Sequence, residues 1–220
     1  MPQSTSSPPP RACTDASETP QRGTPNMSSS SSELASLKIK LHKSLRQFPD
    51  FPTPGVLFED ILPLFSNPVL HQAFIRALEL LIRTNYPEGQ RPDVVVGLEA
   101  RGFLFGPSLA LRLGAGFVPV RKQGKLPGPT ETASYEKEYG ADFFQIQADA
   151  IKQGQKVLVV DDIVATGGSA AAAGSLVKKL GGVLLGYVFI LELDFLKGRE
   201  KLDAPTYTLL SSQSNSLEKT

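Results

Sequence analysis

Lys156-Val157-Leu158-Val159-Val160-Asp161-Asp162-Ile163-Val164-Ala165-Thr166-Gly167-Gly168-Ser169 decides the fold. A run of buried-strand character ends in two acids, a loop of small residues follows, and helical spacing begins at about residue 169. Gly167 and Gly168 let backbone N–H groups approach a ligand, while Thr166 and Ser169 add hydroxyls at the positive end of the following helix dipole. The result is a cradle for a monophosphate. It has neither the Lys of a nucleoside triphosphate loop nor the glycine spacing of a dinucleotide loop. Asp161 and Asp162 alternate sides at a strand end, so at most one faces the interior, and they repel unless a cation or hydroxyls lie between them. The same two residues could also simply open a loop and cap its turn.

Outward from this unit, apolar runs at 94–98, 117–121 and 183–191 predict further strands. Spacing predicts helices over about 32–46, 69–84, 103–113 and 169–180, and Pro49, Pro52 and Pro54 forbid one across 48–55. Strands alternating with helices give an α/β domain on a mainly parallel central sheet flanked by helices, with ligands bound outside the carboxyl ends of the strands. Residues 33–220 form that single domain, and the Ser- and Pro-rich residues 1–32 form a disordered tail.

The composition removes several classes of function. No apolar run approaches the ~18 residues of a membrane span. Lys and Arg number 23 against 22 Asp and Glu, so the chain lacks the field of a nucleic-acid or membrane binder. The one cysteine, Cys13, rules out a disulfide framework and a Cys-ligated zinc. The only histidines, His42 and His71, lie in no Ser/His or Cys/His motif. Asp15 and Glu18 count against an organellar leader despite Arg11 and Arg22, so a cytoplasmic location is expected, with access to the nucleus open.

Three further passages carry charge or aromatic rings to the same sheet edge. In Val94-Val95-Val96-Gly97-Leu98-Glu99-Ala100-Arg101-Gly102-Phe103, Arg101 sits where a strand opens into a helix, suiting a phosphate oxygen pair or, alternatively, an ion pair with Glu99. Arg121, Lys122 and Lys125 precede Leu126-Pro127-Gly128-Pro129, a cationic strand end leading into a loop of about twenty residues. Phe48-Pro49-Asp50-Phe51-Pro52-Thr53-Pro54-Gly55-Val56-Leu57-Phe58-Glu59-Asp60-Ile61 is a rigid aromatic loop that could stack on a planar base, or could merely pack over the core.

Residues 157–169 resemble the phosphoribosyl pyrophosphate signature of the type I phosphoribosyltransferases, and the hood segment extends the match to the adenine-specific branch over about 45–210. The resemblance implies the type I phosphoribosyltransferase fold, with an N-terminal hood at about 46–66 and a flexible catalytic loop at about 122–142. It further implies transfer of adenine to phosphoribosyl pyrophosphate with Mg²⁺, and a homodimer. Asp161 and Asp162 would hold the ribose hydroxyls and lie near the metal, which is bound mainly through the substrate. Ala165, Thr166, Gly167, Gly168 and Ser169 would hold the 5-phosphate, and Arg101, Arg121, Lys122 and Lys125 the pyrophosphate. Leu57, Phe58 and Glu59 would hold the base. Ala133-Ser134-Tyr135-Glu136-Lys137-Glu138-Tyr139-Gly140 resembles the catalytic loop, making Glu138 the proton-transfer group and Tyr139 the closing aromatic. A non-proline cis peptide would fall at Glu99-Ala100. Glu59 departs from the pattern: many members carry Arg there, and a carboxylate could instead accept from an amino group of the base. The same fold also serves ligand sensors and inactive paralogues, against which the presence of Glu138, Arg101, Lys122 and Lys125 counts.

Overall fold

The computed structural model describes residues 27–51, 54, 57–137 and 140–210. Its centre is a sheet of seven strands. Named in chain order with the flanking elements, these are β3 (Val94–Leu98), β4 (Gly116–Lys122), β5 (Thr130–Lys137), β6 (Gly140–Gln147), β7 (Lys156–Val164), β8 (Val183–Glu192) and β9 (Thr206–Thr208). The spatial order is β5-β6-β4-β3-β7-β8-β9. The pairs β3/β4, β3/β7, β7/β8 and β8/β9 are parallel, and β4/β6 and β5/β6 are antiparallel.

Side chains alternate across the strands and sort the core onto two faces. Val95, Leu158, Val160 and Val188 pack with α1 (Met27–His42), α3 (Pro68–Asn85) and α4 (Gly106–Leu113). Val94, Val96, Val157 and Val159 pack under α5 (Gly168–Lys179) through Ala172, Ala173, Leu176 and Val177. Both faces of the parallel strands are covered, which is why those strands read as unbroken apolar runs.

The chain leaves β3 through α4 to reach β4 on one side, and leaves β7 through α5 to reach β8 on the other. Neighbouring strands whose crossovers diverge in this way open a crevice at their carboxyl ends. Over it stands a separate antiparallel pair, β1 (Arg46–Pro49) with β2 (Leu57–Asp60), followed by α2 (Pro63–Ser66). Asp60 braces this hood by accepting from Arg46 Nε at 3.0 Å and from the Leu62 N–H at 2.9 Å.

Two sequence expectations are corrected. The first helix begins at Met27, inside the expected tail, and ends at His42, short of residues 46–49, which pair as β1; it meets the core through Leu34 and Leu37 and α3 through the Glu33–Arg76 ion pair. The tail's remaining residues, 1–26, lie outside the described residues. The expected long loop is largely the β5–β6 ribbon, in which Ala133 is buried and Tyr135 half-buried while Glu131 and Ser134 are exposed. The start of α3 is set by Asn67, whose side chain accepts from the N–H groups of Val69 and Leu70 at 2.9 and 3.2 Å, with Pro68 in the first turn.

Helices α3 and α4 are tied by Glu79, buried at 6% exposure, which accepts from Arg76 at 3.2 Å, Arg83 at 2.9 Å and Arg112 at 2.8 Å. Burial alone would push its pKa up, but the three guanidinium groups outweigh this and hold it below the usual value. A depressed carboxyl contributes stability that is present above its unfolded pKa and lost as pH falls through the folded one. Glu79→Gln should therefore cost about 1–3 kcal/mol at neutral pH. In denaturant titrations the variant should lose less stability than the wild type on acidification below about pH 4.

Candidate active site

The loops after β3, β4, β7 and β8 meet at the crevice. Glu99 follows β3, and its carboxylate accepts from Arg121 Nε at 3.2 Å, Arg121 Nη2 at 3.0 Å and the Lys122 N–H at 3.1 Å, fastening the end of β4 to that of β3. The Arg121 contact holds the Glu99 carboxyl below its ordinary pKa. Arg121 also donates to the Lys125 carbonyl at 3.0 Å, while the side chains of Lys122 and Lys125 are exposed. The Glu99-Ala100 peptide is cis, where the resemblance put it.

Arg101 opens a 3₁₀ turn over Arg101–Leu104 and does not pair with Glu99. Its Nε lies 2.9 Å from Asp162 Oδ2, an ion pair reaching from the β3 loop to the end of β7 across the crevice. Gly102 makes the approach possible, since a Cβ there would stand 2.8 Å from the Val160 carbonyl oxygen.

One of the two acids does face inward: Asp162 is buried at 4% exposure. Asp161 is half-buried by surface area but deep among protein atoms, and its Oδ1 accepts from the Asp162 N–H at 2.9 Å. Burial, then the neighbouring Asp162 charge, pushes Asp161 well above the usual carboxylate pKa. Burial also raises Asp162, against the opposing pull of Arg101.

Residues 165–167 then turn into α5. Gly167 caps that helix at φ 78°, a left-handed conformation that favours glycine. No side chain caps the N-terminus, so the first-turn N–H groups of Gly168 and Ser169 have no carbonyl partner within the helix.

Under the hood, Leu57, Phe58 and Glu59 line a small cavity together with Arg101, Asp162, Ile163, Leu191, Glu192 and Leu193. Phe58 and Arg101 are shared with an adjoining apolar cavity formed by Phe48, Phe51 and Leu62. Glu59 Oε1 accepts from Gln47 at 3.1 Å, but its Oε2 is shielded from solvent and has no hydrogen-bond partner. Sequence reading missed the floor of this cavity. Its signal was Glu192-Leu193 at the end of an apolar strand, the same strand-then-acid pattern that singled out Asp161 and Asp162.

The structure thus gathers Arg101, Arg121, Asp161, Asp162, the loop Ala165–Ser169 and Leu57–Glu59 around one crevice. Glu138 and Tyr139 lie outside the described residues; the ribbon carrying them pairs as far as Lys137 opposite Gly140.

Residues 64–218 match the family model for the phosphoribosyl transferase domain. The chain is 59% identical over 186 residues to the adenine phosphoribosyltransferase of Debaryomyces hansenii, covering 84% of this chain and 97% of that one. It is 58% identical over 186 residues to adenine phosphoribosyltransferase 1 of Saccharomyces cerevisiae, covering 84% and 99%. A crystal structure of the Saccharomyces cerevisiae enzyme, complexed with an imino-altritol bisphosphate and adenine, superposes with a TM-score of 0.78 at 60% identity, covering 80% of this chain and 99% of that chain.

The Asp162 geometry gives a direct expectation. In Arg101→Ala, Asp162 loses the charge that holds its pKa down, so carboxyl ¹³C NMR should show it titrating higher than in the wild type. A folded pKa raised above the unfolded one removes stability as pH rises through it, so the variant's stability should also fall more steeply across that interval.

Proposed function

This chain belongs to the phosphoribosyltransferase family, in its adenine-specific branch, and we propose that it joins adenine to phosphoribosyl pyrophosphate, giving AMP and pyrophosphate. The observation that carries this reading is the Arg101–Asp162 pair across the crevice, with the 165–169 loop on one side and the hood cavity on the other. A cation, an acid pair, a helix N-terminus and an apolar slot offer the kinds of group that pyrophosphate, ribose, 5-phosphate and base call for.

Displacement at the anomeric carbon develops positive charge on the sugar and negative charge on the leaving group, so catalysis is mostly positioning and charge stabilisation. Arg101, Arg121, Lys122 and Lys125 bind and stabilise the pyrophosphate. Asp161 and Asp162 accept from the ribose hydroxyls. The backbone N–H groups of residues 166–169, with the Thr166 and Ser169 hydroxyls, hold the 5-phosphate, and Ala165 leads the chain into that loop. Leu57 and Phe58 press the base against Ile163 and Leu193, where Glu59 Oε2 is placed to accept from an amino group. Glu138 manages the proton on N7 of adenine, and Tyr139 closes over the site to keep out water.

A Mg²⁺ ion fits these residues, because Asp161 and Asp162 are close acids that repel one another where a cation would relieve them. When bound it would neutralise charge on the pyrophosphate. Among the described residues no group of three or more His, Cys, Asp or Glu could hold a metal; Asp161 and Asp162 would hold the ion together with oxygens of the substrate. No helix among the described residues is long and apolar enough to cross a membrane. Action in the cytoplasm as a homodimer belongs to the same proposal, and sedimentation as a monomer at working concentration would remove the dimer.

Purified protein given phosphoribosyl pyrophosphate and Mg²⁺ should form AMP from adenine and little product from hypoxanthine, guanine or uracil. Turnover with another base would move the specificity assignment, and none with any base would end the enzymatic reading. Glu138→Gln should lower kcat by roughly 10²- to 10⁴-fold while leaving sugar-phosphate binding intact. Asp161→Asn with Asp162→Asn should weaken phosphoribosyl pyrophosphate binding in calorimetry, and unchanged affinity would count against the ribose assignment.

A further inference from the structure

We propose that Gly198 is a positioning residue for the 5-phosphate, acting through the loop Ala165–Gly167. The proposal rests on that loop holding the phosphate. After β8 the chain runs through Leu193 to Arg199 and passes behind the loop. Its start is sewn to β7 by the Leu193 N–H, which donates to the Val164 carbonyl at 3.0 Å. Its end is clamped by Arg199, which donates to Glu192 Oε1 at 3.0 Å, to the Thr206 carbonyl at 2.6 Å and to Thr208 Oγ1 at 3.0 Å. Thr208 in turn donates to Glu192 Oε2 at 2.9 Å. Arg199 holds the Glu192 carboxyl below its usual pKa, so the clamp is ionic at neutral pH.

Between these two fixed ends, Gly198 lies backbone to backbone with the phosphate loop. A Cβ on Gly167 would collide with the Gly198 carbonyl. A Cβ on Gly198 would collide with the Ala165 carbonyl and stand 2.7 Å from the Gly167 nitrogen. Neither neighbour is the movable end of a side chain. Lys197 just before it adopts φ 51°, turning the chain so that Gly198 presents its backbone to the loop. The strap thus sets the height of the loop's N–H groups, while Leu191 and Leu193 at its root line the base cavity. One segment fixes the distance between the phosphate and base ends of the nucleotide.

The test compares the wild type with Gly198→Ala. The added methyl would stand 2.7 Å from the Gly167 nitrogen, so the loop has to shift to admit it. Calorimetry with ribose 5-phosphate should show at least tenfold weaker binding, and steady-state kinetics a similar rise in KM for phosphoribosyl pyrophosphate. The KM for adenine and kcat should each stay within about threefold. Arg199→Lys, which keeps the charge but loses the forked contact, should weaken ribose 5-phosphate binding by a smaller factor; it carries the test if the glycine variant does not fold. Wild-type affinity in whichever variant folds would overturn the role of Gly198. An equal loss of adenine binding and kcat would overturn it too, by showing a general disturbance. A wild-type protein with no affinity for ribose 5-phosphate would instead overturn the loop assignment, and this proposal with it.

Discussion

The Arg101–Asp162 ion pair depends on one constraint of topology, and the crevice is organised around it. Strands β3 and β7 are parallel neighbours whose crossovers run to opposite faces of the sheet, so their two carboxyl-end loops face each other with no helix between them. Gly102 lets the β3 loop approach the Val160 carbonyl, which brings a guanidinium within 2.9 Å of a buried carboxylate. Arg101 is nearly half exposed while Asp162 is buried, so the pair is asymmetric. Arg101 favours the charged form of the buried acid, whereas the cation can be satisfied by water or by an anion.

That asymmetry gives the crevice a chemical direction. Glu99 and Arg121 repeat the pattern one strand away, an acid holding a cation at the end of β4. An anion arriving among Arg101, Arg121, Lys122 and Lys125 competes with carboxylates already present, so a dianion with many oxygens displaces them better than a small one. Asp161 is pushed up by burial and by its neighbour, so hydroxyls or a cation beside it favour its charged form.

The parallel heart of the fold was legible in the sequence because burial on both faces leaves nothing but apolar residues: 94–98 is a strand to the residue. β7 runs on to Val164 because Asp161 and Ile163 keep their pairing to Phe189 and Leu191, which periodicity cannot show across two acids. The β5–β6 ribbon was missed because only Ala133, Phe144 and Ile146 of its described side chains are buried, so its signal is alternation among polar residues rather than an apolar run. The turn into α5 after the two acids could be read from Gly167 and Gly168. Arg101 could not be assigned between Glu99 and a phosphate, and its actual partner, sixty-one positions on, is a fact of tertiary structure. Gly198 was invisible for the same reason, since a glycine's importance there lies in the backbone it faces.

The central claim is that the crevice between β3 and β7 is where phosphoribosyl pyrophosphate binds, with Arg101 on its phosphates and the acid pair on its ribose. Calorimetry of phosphoribosyl pyrophosphate with Mg²⁺, run on the wild type and on Arg101→Ala, tests it most directly. Binding weakened by roughly tenfold or more in the variant is the expected result. Unchanged affinity would contradict it.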